Sequence, residues 1–150
     1  MVFPEITAFI EIPYGSIHKY EYDFLLKKMI VARTIAPLCY PYSYGFIPNT
    51  VCSDGDPLDI IVLGSDIFAS GQTIPVVIIG VLELSDDKGY DPKIIAVPEH
   101  SVTKKIDIAL CHDIEQFITQ IKAQKKERVL FHGWHDEIRA HEIIKKFTNS

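Results

Sequence analysis

Short runs with the patterning of β-strands fill the first two thirds of the chain. They cover residues 6–12, 18–22, 59–63, 73–84 and 93–97. Groups of turn-forming residues separate them, at positions 13–16, 54–57, 70–71 and 87–89. Alternating or continuous runs rich in Val and Ile are typical of strands. Several short strands divided by turns predict a closed or nearly closed barrel, because closure removes exposed strand edges.

Helical periodicity is confined to the end of the chain. One apolar stripe consists of Ile114, Phe117, Ile118 and Ile121, and a second of Ala140, Ile143, Ile144 and Phe147. Residues 132–135 break the two stripes apart, and Asp136 is placed to cap the second helix. The pattern predicts a mainly β, α+β fold in which two C-terminal helices pack on a β-barrel.

Composition limits the class of protein. The chain has 150 residues, of which 47% are hydrophobic and 23% charged, so it can bury a substantial core. This length, without a repeat or a linker, predicts one domain over residues 1–150. The net charge of −5 argues against a protein that holds nucleic acid by its phosphates. A small phosphorylated ligand remains compatible with it, because metal ions can supply positive charge.

Membrane insertion and secretion are not expected. The longest apolar stretch, residues 76–82, has seven residues, whereas a helix needs roughly 20 to cross a bilayer. The N-terminal segment has no basic residues ahead of its apolar part, which argues against a signal peptide. The three widely spaced cysteines predict reduced thiols and a cytoplasmic protein.

An acidic turn at residues 54–59 is the most informative segment. Asp54, Asp56 and Asp59 stand close together, directly before an apolar strand. Such crowded carboxylates are stable when they are solvated or bridged by cations, and hard oxygen ligands suit Mg²⁺. An EF-hand is excluded because the twelfth position counted from Asp54 is Ser65. The alternative is an ordinary acidic turn that leads into a strand.

A second acidic turn spans residues 85–93. It contains Asp86, Asp87 and Asp91 together with Lys88 and Lys93. Alone, it is typical of a solvated hairpin loop. Two acidic turns at the ends of barrel strands can, however, converge on one barrel mouth.

Cationic and phenolic side chains form the third candidate element. Lys19 and Glu21 share a strand face, Arg33 closes an apolar run, and Tyr40 and Tyr44 flank a short segment. A lysine and an arginine facing an acidic, metal-binding cluster would complete a site for a highly charged anion. The alternatives are surface charge for the cations and core packing for the tyrosines.

Other motifs carry less information. His112, His132 and His135 match no zinc-binding spacing. The lysine pairs at 104–105 and 125–126 predict solvated faces.

Together, these segments resemble the family I soluble inorganic pyrophosphatases. The matching segments are residues 10–13 (IEIP), 19–21 (KYE), 40–48 (YPYSYGFIP) and 54–59 (DGDPLD). The D-G-D-P-x-D motif after Y-x-x-x-Y-G is highly specific for that family. Residues 80–98 continue the resemblance in the family's order, and the remainder of the chain follows it loosely.

The resemblance implies an OB-like five-stranded barrel and a role for each matching residue. The implied metal ligands are Asp54, Asp59, Asp86 and Asp91. Glu11 would lie at the edge of this cluster and Glu21 behind it. Asp56 corresponds to the carboxylate that takes a proton from the attacking water. The implied phosphate contacts are Lys19, Arg33, Tyr44 and Lys93.

The implied activity is hydrolysis of pyrophosphate to two orthophosphates by metal-activated water. Mg²⁺ is the implied cofactor, with Mn²⁺ as a second choice, and the implied assembly is a homo-oligomer, commonly a hexamer. Pyrophosphate is a small, densely charged anion, so its hydrolysis needs charge neutralisation and in-line placement of water. Two other functions stay open: a metal-dependent hydrolase of another phosphoanhydride, and a non-catalytic OB-like binding module.

Several positions depart from the family pattern. Ile121 stands where the family has a tyrosine before the lysine of its late helix, which predicts weaker substrate binding or product handling. Asp87 replaces a glutamate, Ala32 an aspartate, and the segments 33–40 and 98–117 are shorter. Such departures are compatible with a slow enzyme, a shifted metal preference or a different substrate.

Overall fold

A computed structural model describes residues 2–149, and within this range nine strands and two helices follow one another. The strands are β1 Ile6–Ile12, β2 His18–Asp23, β3 Lys28–Thr34, β4 Ser43–Phe46, β5 Asp59–Val62, β6 Thr73–Asp86, β7 Gly89–Tyr90, β8 Lys93–Pro98 and β9 Val129–Asp136. The helices are α1 Ile108–Gln124 and α2 Glu137–Phe147. Neither helix is long and apolar enough to cross a membrane.

Five strands close into a ring in the order β1, β4, β5, β8 and β6, and β6 pairs back with β1. All neighbouring pairs in the ring are antiparallel except β5 and β8, which run parallel. The β2–β3 hairpin forms a separate sheet, and β9 pairs with the distal half of β6. The ring confirms the predicted five-stranded OB-like barrel.

Alternation along β5 shows how the barrel is packed on both faces. Ile60 and Val62 point to a cluster that α2 covers, whereas Ile61 and the adjoining Leu63 point to a cluster that α1 covers. Successive side chains of a strand face opposite sides, so this strand is buried on both. The helices bury the predicted stripes, with Ile114, Phe117 and Ile118 in α1 and Ala140, Ile143 and Ile144 in α2.

Barrel closure brings two backbones into contact at Gly45 of β4. A Cβ atom there would lie 1.8 Å from the carbonyl oxygen of Phe9 in β1. Only glycine therefore fits at this crossing. The contact fixes β4 against β1. It therefore also fixes the backbone of Tyr44, which precedes Gly45 in β4.

The C-terminal part differs in one respect from the sequence prediction. Asp136 caps α2 as predicted, accepting a hydrogen bond from the backbone N–H of Arg139 at 3.2 Å. Residues 132–135 were expected to be only a break between two helices, but they belong to β9. Pairing with β6 satisfies their backbone groups, which local sequence preference could not indicate.

Candidate active site

A cavity of about 350 Å³ lies where the β2–β3 hairpin, the barrel strands and α1 meet. Seven acidic side chains line it: Glu11, Glu21, Asp54, Asp56, Asp59, Asp86 and Asp91. The lysines that line it are Lys19, Lys88, Lys93, Lys122 and Lys125. The two acidic turns therefore converge on one space, together with the cations that a bound anion would need.

The first acidic turn has a defined local structure. Gly55 adopts a φ of +88°, a conformation that favours glycine, and its N–H donates to the carbonyl of Cys52 at 2.9 Å. The backbone N–H of Asp56 donates to Asp54 Oδ1 at 2.9 Å. Leu58 is fully buried and fixes the end of the turn in the core, so that Asp59 begins β5 at the cavity wall.

Lys93 is the centre of the polar network. Its Nζ donates to Asp59 Oδ2 at 2.7 Å and to the Tyr44 hydroxyl at 2.6 Å, and lies 3.0 Å from Asp91 Oδ2. Burial alone would lower the pKa of Lys93, but Asp59, Tyr44 and Asp91 together outweigh it and hold that pKa well above its ordinary value. Lys93 is therefore a permanent cation in this site.

The tyrosines of the wall stay protonated. Burial raises the pKa of Tyr44 well above its ordinary value and raises that of Tyr40 to about 12. Because Lys93 donates to the Tyr44 oxygen, the phenolic proton of Tyr44 remains available for a ligand.

The second acidic turn is tied to α1. Lys122 Nζ lies 2.6 Å from Asp86 Oδ2 and 3.9 Å from Asp91 Oδ2. Burial would raise the pKa of Asp86, but the hydrogen bonds from Lys122 and from the backbone of Lys88 lower it overall. Lys122 was missing from the residues assigned to the site, and the signal that could have found it is its position four residues after the buried Ile118, on the same helix face.

Burial makes the ionised form of two carboxylates in the cavity costly. Burial raises the pKa of Glu11 to about 7, although its Oε2 accepts a hydrogen bond from the backbone of Tyr22. Burial likewise raises the pKa of Asp91, and the charge of Asp59 adds to the effect. Divalent cations would relieve this crowding, and a set of hard carboxylate oxygens is chemically suited to Mg²⁺.

In this structure, lysine ammonium groups contact the carboxylate oxygens that would hold a metal ion. Among residues 2–149, no three acidic, histidine or cysteine side chains are already gathered into a metal-binding group. Instead the ammonium groups of Lys93 and Lys122 contact Asp59, Asp91 and Asp86. These contacts show that positive charge is favourable at the carboxylate oxygens. Because such oxygens are hard ligands, the same set of carboxylates fits a divalent metal ion.

Arg33 does not lie where the sequence predicts it, among the residues that line the site. It lies beside Lys19 in the β2–β3 pairing, but its guanidinium does not line the cavity. Its Nη1 donates to Gln124 Oε1 at 2.9 Å, and its Nη2 reaches the carbonyl of Ile121 at 3.5 Å. The other predicted residues line the common cavity, and the role assigned to each stays a prediction.

Lys125 was expected on a solvated face together with Lys126, and for Lys125 this expectation is wrong. Lys125 lines the cavity, whereas Lys126 is exposed. The sequence alone could not separate them, because the helix ends between Gln124 and Lys125 and the turn that follows sets their directions.

Comparison with known proteins gives one consistent result. The family model described as "Inorganic pyrophosphatase" matches residues 8–150. The inorganic pyrophosphatase of Saccharolobus solfataricus is 38% identical over 153 residues, covering 95% of this chain and 89% of that protein. That of Campylobacter jejuni is also 38% identical, with the same coverage.

Solved structures agree with the sequence relatives. The structure of the Helicobacter pylori inorganic pyrophosphatase superposes with a TM-score of 0.88 at 30% identity, covering 98% of this chain and 95% of that one. The Thermus thermophilus inorganic pyrophosphatase gives a TM-score of 0.87 at 34% identity, covering 95% and 88%.

Proposed function

Because the chain belongs to the inorganic pyrophosphatase family, we propose that it hydrolyses pyrophosphate to two orthophosphates with Asp56 as the general base. The observation that supports this proposal is the convergence of both acidic turns, Lys19, Lys93 and Tyr44 on one cavity. A small anion of high charge density matches such a site. The carboxylates alone would repel it, but the lysines beside them supply the positive charge that it needs.

The proposal includes Mg²⁺ as the cofactor, held by Asp54, Asp59, Asp86 and Asp91, with Mn²⁺ as a possible substitute. When bound, these divalent ions supply positive charge for the pyrophosphate and acidify the attacking water. The crowding of carboxylates around Asp91 supports this assignment.

Asp56 is suited to accept a proton. Within residues 2–149, its carboxylate makes no hydrogen bond or ion pair, while Asp59 and Asp86 are each paired with a lysine. Asp54 already accepts a backbone N–H. A carboxylate that is exposed at the cavity and free of partners can take a proton from a water placed beside it.

Lys93, Lys19 and Tyr44 bind and orient the phosphate groups in this proposal. Lys93 is held as a cation, so it contributes charge at any physiological pH. Tyr44 donates its phenolic proton, and Lys19 reaches the cavity from β2. Arg33 remains a candidate phosphate contact that would have to leave Gln124 to reach the substrate.

The wider setting is also part of the proposal. Residues 1–150 form one catalytic domain that assembles into a homo-oligomer, a hexamer by family resemblance, and acts in the cytoplasm. The free thiols of Cys39, Cys52 and Cys111 are compatible with a reducing compartment. Analytical ultracentrifugation tests the assembly directly.

Phosphate release tests the substrate. Purified protein is assayed with pyrophosphate, ADP and ATP, each with Mg²⁺, with Mn²⁺ and with EDTA. The proposal expects metal-dependent release from pyrophosphate well above release from either nucleotide. Preferential release from a nucleotide would favour the alternative phosphoanhydride hydrolase. Absence of release from folded protein under every condition would favour a non-catalytic binding module.

A further inference from the structure

We propose that Lys125 is a phosphate-binding residue of this cavity and extends the anion subsite that Lys19 and Lys122 line along the α1 wall. The inference rests on the proposed function and deepens it by assigning a binding residue outside the acidic turns.

Helical geometry brings Lys122 and Lys125 together. Residues three apart lie on the same face of a helix. Lys122 lies in the last turn of α1 and Lys125 is its C-cap, and both line the cavity. The backbone N–H of Lys125 donates to the carbonyls of Ala123 and Lys122. This cap fixes the Lys125 backbone, so the side chain leaves the helix end in a defined direction.

Lys19 approaches the same space from β2. Burial lowers the pKa of Lys125, and the positive charges of Lys19 and Lys122 lower it further, while Glu127 partly opposes them. All three lysines line the same cavity, and ion pairs to one carboxylate place Lys122 beside Lys125. Lysines that repel one another inside a cavity favour a bound anion, because an anion relieves the repulsion.

Glu127 provides the only carboxylate in direct contact with Lys125 among the described residues. Its Oε1 lies 3.4 Å from Lys125 Nζ, and its Oε2 lies 3.9 Å from Lys122 Nζ. The Oε2 atom is buried and has no hydrogen-bond partner in the described structure. One carboxylate thus bridges two lysines with incomplete hydrogen bonding, which leaves donor capacity for phosphate oxygens.

The neighbouring arginine cannot fill this role in the observed arrangement. Arg33 uses its guanidinium on Gln124 and on the carbonyl of Ile121. Ile121 itself packs on the apolar cluster beneath α1 and offers no polar side-chain atom. Lys125 is therefore the cation that the end of α1 directs into the cavity in addition to Lys122.

The experiment compares Lys125→Met with Lys126→Met, which removes the same charge from the adjacent exposed residue. Binding of imidodiphosphate, a pyrophosphate analogue, is measured by calorimetry with Mg²⁺ present, and KM and kcat for pyrophosphate are measured in parallel. A lost charge-assisted hydrogen bond predicts about tenfold weaker analogue binding and a KM about tenfold higher for Lys125→Met. Lys126→Met should stay within about twofold of wild type.

Two further comparisons make the result decisive. Lys125→Arg keeps the charge and should recover most of the affinity, and equal melting temperatures exclude unfolding as the cause. Equal affinities for the two methionine variants would overturn the proposal, as would a loss confined to kcat. If wild type binds the analogue through Lys125 but releases no phosphate, the subsite holds while the proposed function fails.

Discussion

Asp59 and Lys93 are direct partners in the parallel pairing of β5 with β8, and their side chains meet with Nζ 2.7 Å from Oδ2. They are 34 positions apart in sequence, and the segment between them includes the whole of β6, which forms a further wall of the barrel. The central ion pair of the cavity is therefore set by the register of two core strands. The same pairing that buries Ile60 against Ile94 places a carboxylate beside an ammonium group at the strand entrance.

Replacement of Lys93 should destabilise the metal-free protein. Lys93→Met leaves Asp59 and Asp91 facing each other without their shared cation, and removal of one partner from a buried pair costs about 3 kcal/mol. Urea unfolding in EDTA measures this loss. Lys105→Met, at an exposed position, should change the free energy of unfolding by less than about 0.5 kcal/mol. Equal stabilities for the two variants would contradict the assigned role of Lys93.

Glu83 should make stability depend on pH in the acid range. It is 8% exposed, accepts hydrogen bonds from Tyr90 and Arg139, and lies 3.3 Å from His135. Burial would raise its pKa, but the hydrogen bonds from Arg139 and Tyr90 lower it overall from the ordinary 4.5. Its stabilising contribution is therefore complete above pH 4.5 and is lost as pH falls through the lower, folded-state pKa.

Substitution tests that sign. Glu83→Gln should lower the free energy of unfolding by about 2 kcal/mol at pH 7, because it weakens charge-assisted bonds to Arg139. The difference from wild type should shrink as the pH is lowered below 4.5. Glu142→Gln removes the other, exposed partner of Arg139 and should have little effect at any pH. A Glu83→Gln difference that grows in acid would show the sign to be wrong.

Glu127→Gln should tighten phosphate binding. Glu127 bridges Lys122 and Lys125, so removal of its charge frees both lysines for an anion. Imidodiphosphate affinity should rise about threefold, in keeping with partly exposed ion pairs. Asp113→Asn removes one negative charge from an exposed position of α1 and serves as the control. Weaker binding by Glu127→Gln would mean that Glu127 positions the lysines instead of competing for them.

Barrel closure should depend on Gly45. A methyl group there would collide with the carbonyl of Phe9, which is backbone and cannot rotate away. Gly45→Ala should therefore lower the free energy of unfolding by about 2 kcal/mol or more. Gly71→Ala is a useful comparison, because its Cβ would meet only the Met29 side chain at 3.8 Å and its cost comes from a φ of +91°. Thermal unfolding of both variants distinguishes a clash from backbone strain alone.

Sequence patterning predicted the elements whose burial is regular. The bounds of β1 were predicted exactly, since Ala8, Ile10 and Ile12 alternate with more exposed residues. β9 was missed because histidines and Gly133 interrupt its apolar positions, and its pairing with β6 comes from tertiary structure. β4 has four residues, too few to show a period.

The acidic half of the candidate site was recognisable because each turn is a local motif. Lys19 and Lys93 were named as well, but the remaining cations depend on how α1 packs on the barrel, which places Lys122 and Lys125 at the cavity and draws Arg33 toward Gln124. Helix docking is set by long-range contacts, so no local pattern could distinguish Lys125 from the exposed Lys126.

The most direct test of the central claim is phosphate release from pyrophosphate with Mg²⁺ by wild type, Asp56→Asn and Asp87→Asn. Asp87 is an acidic neighbour on the second turn that does not line the cavity, so its variant controls for loss of charge. The account predicts strong release by wild type and Asp87→Asn, and at least about a hundredfold lower kcat for Asp56→Asn with its melting temperature unchanged. Equal kcat values for folded Asp56→Asn and Asp87→Asn would contradict the assignment of Asp56 as the general base.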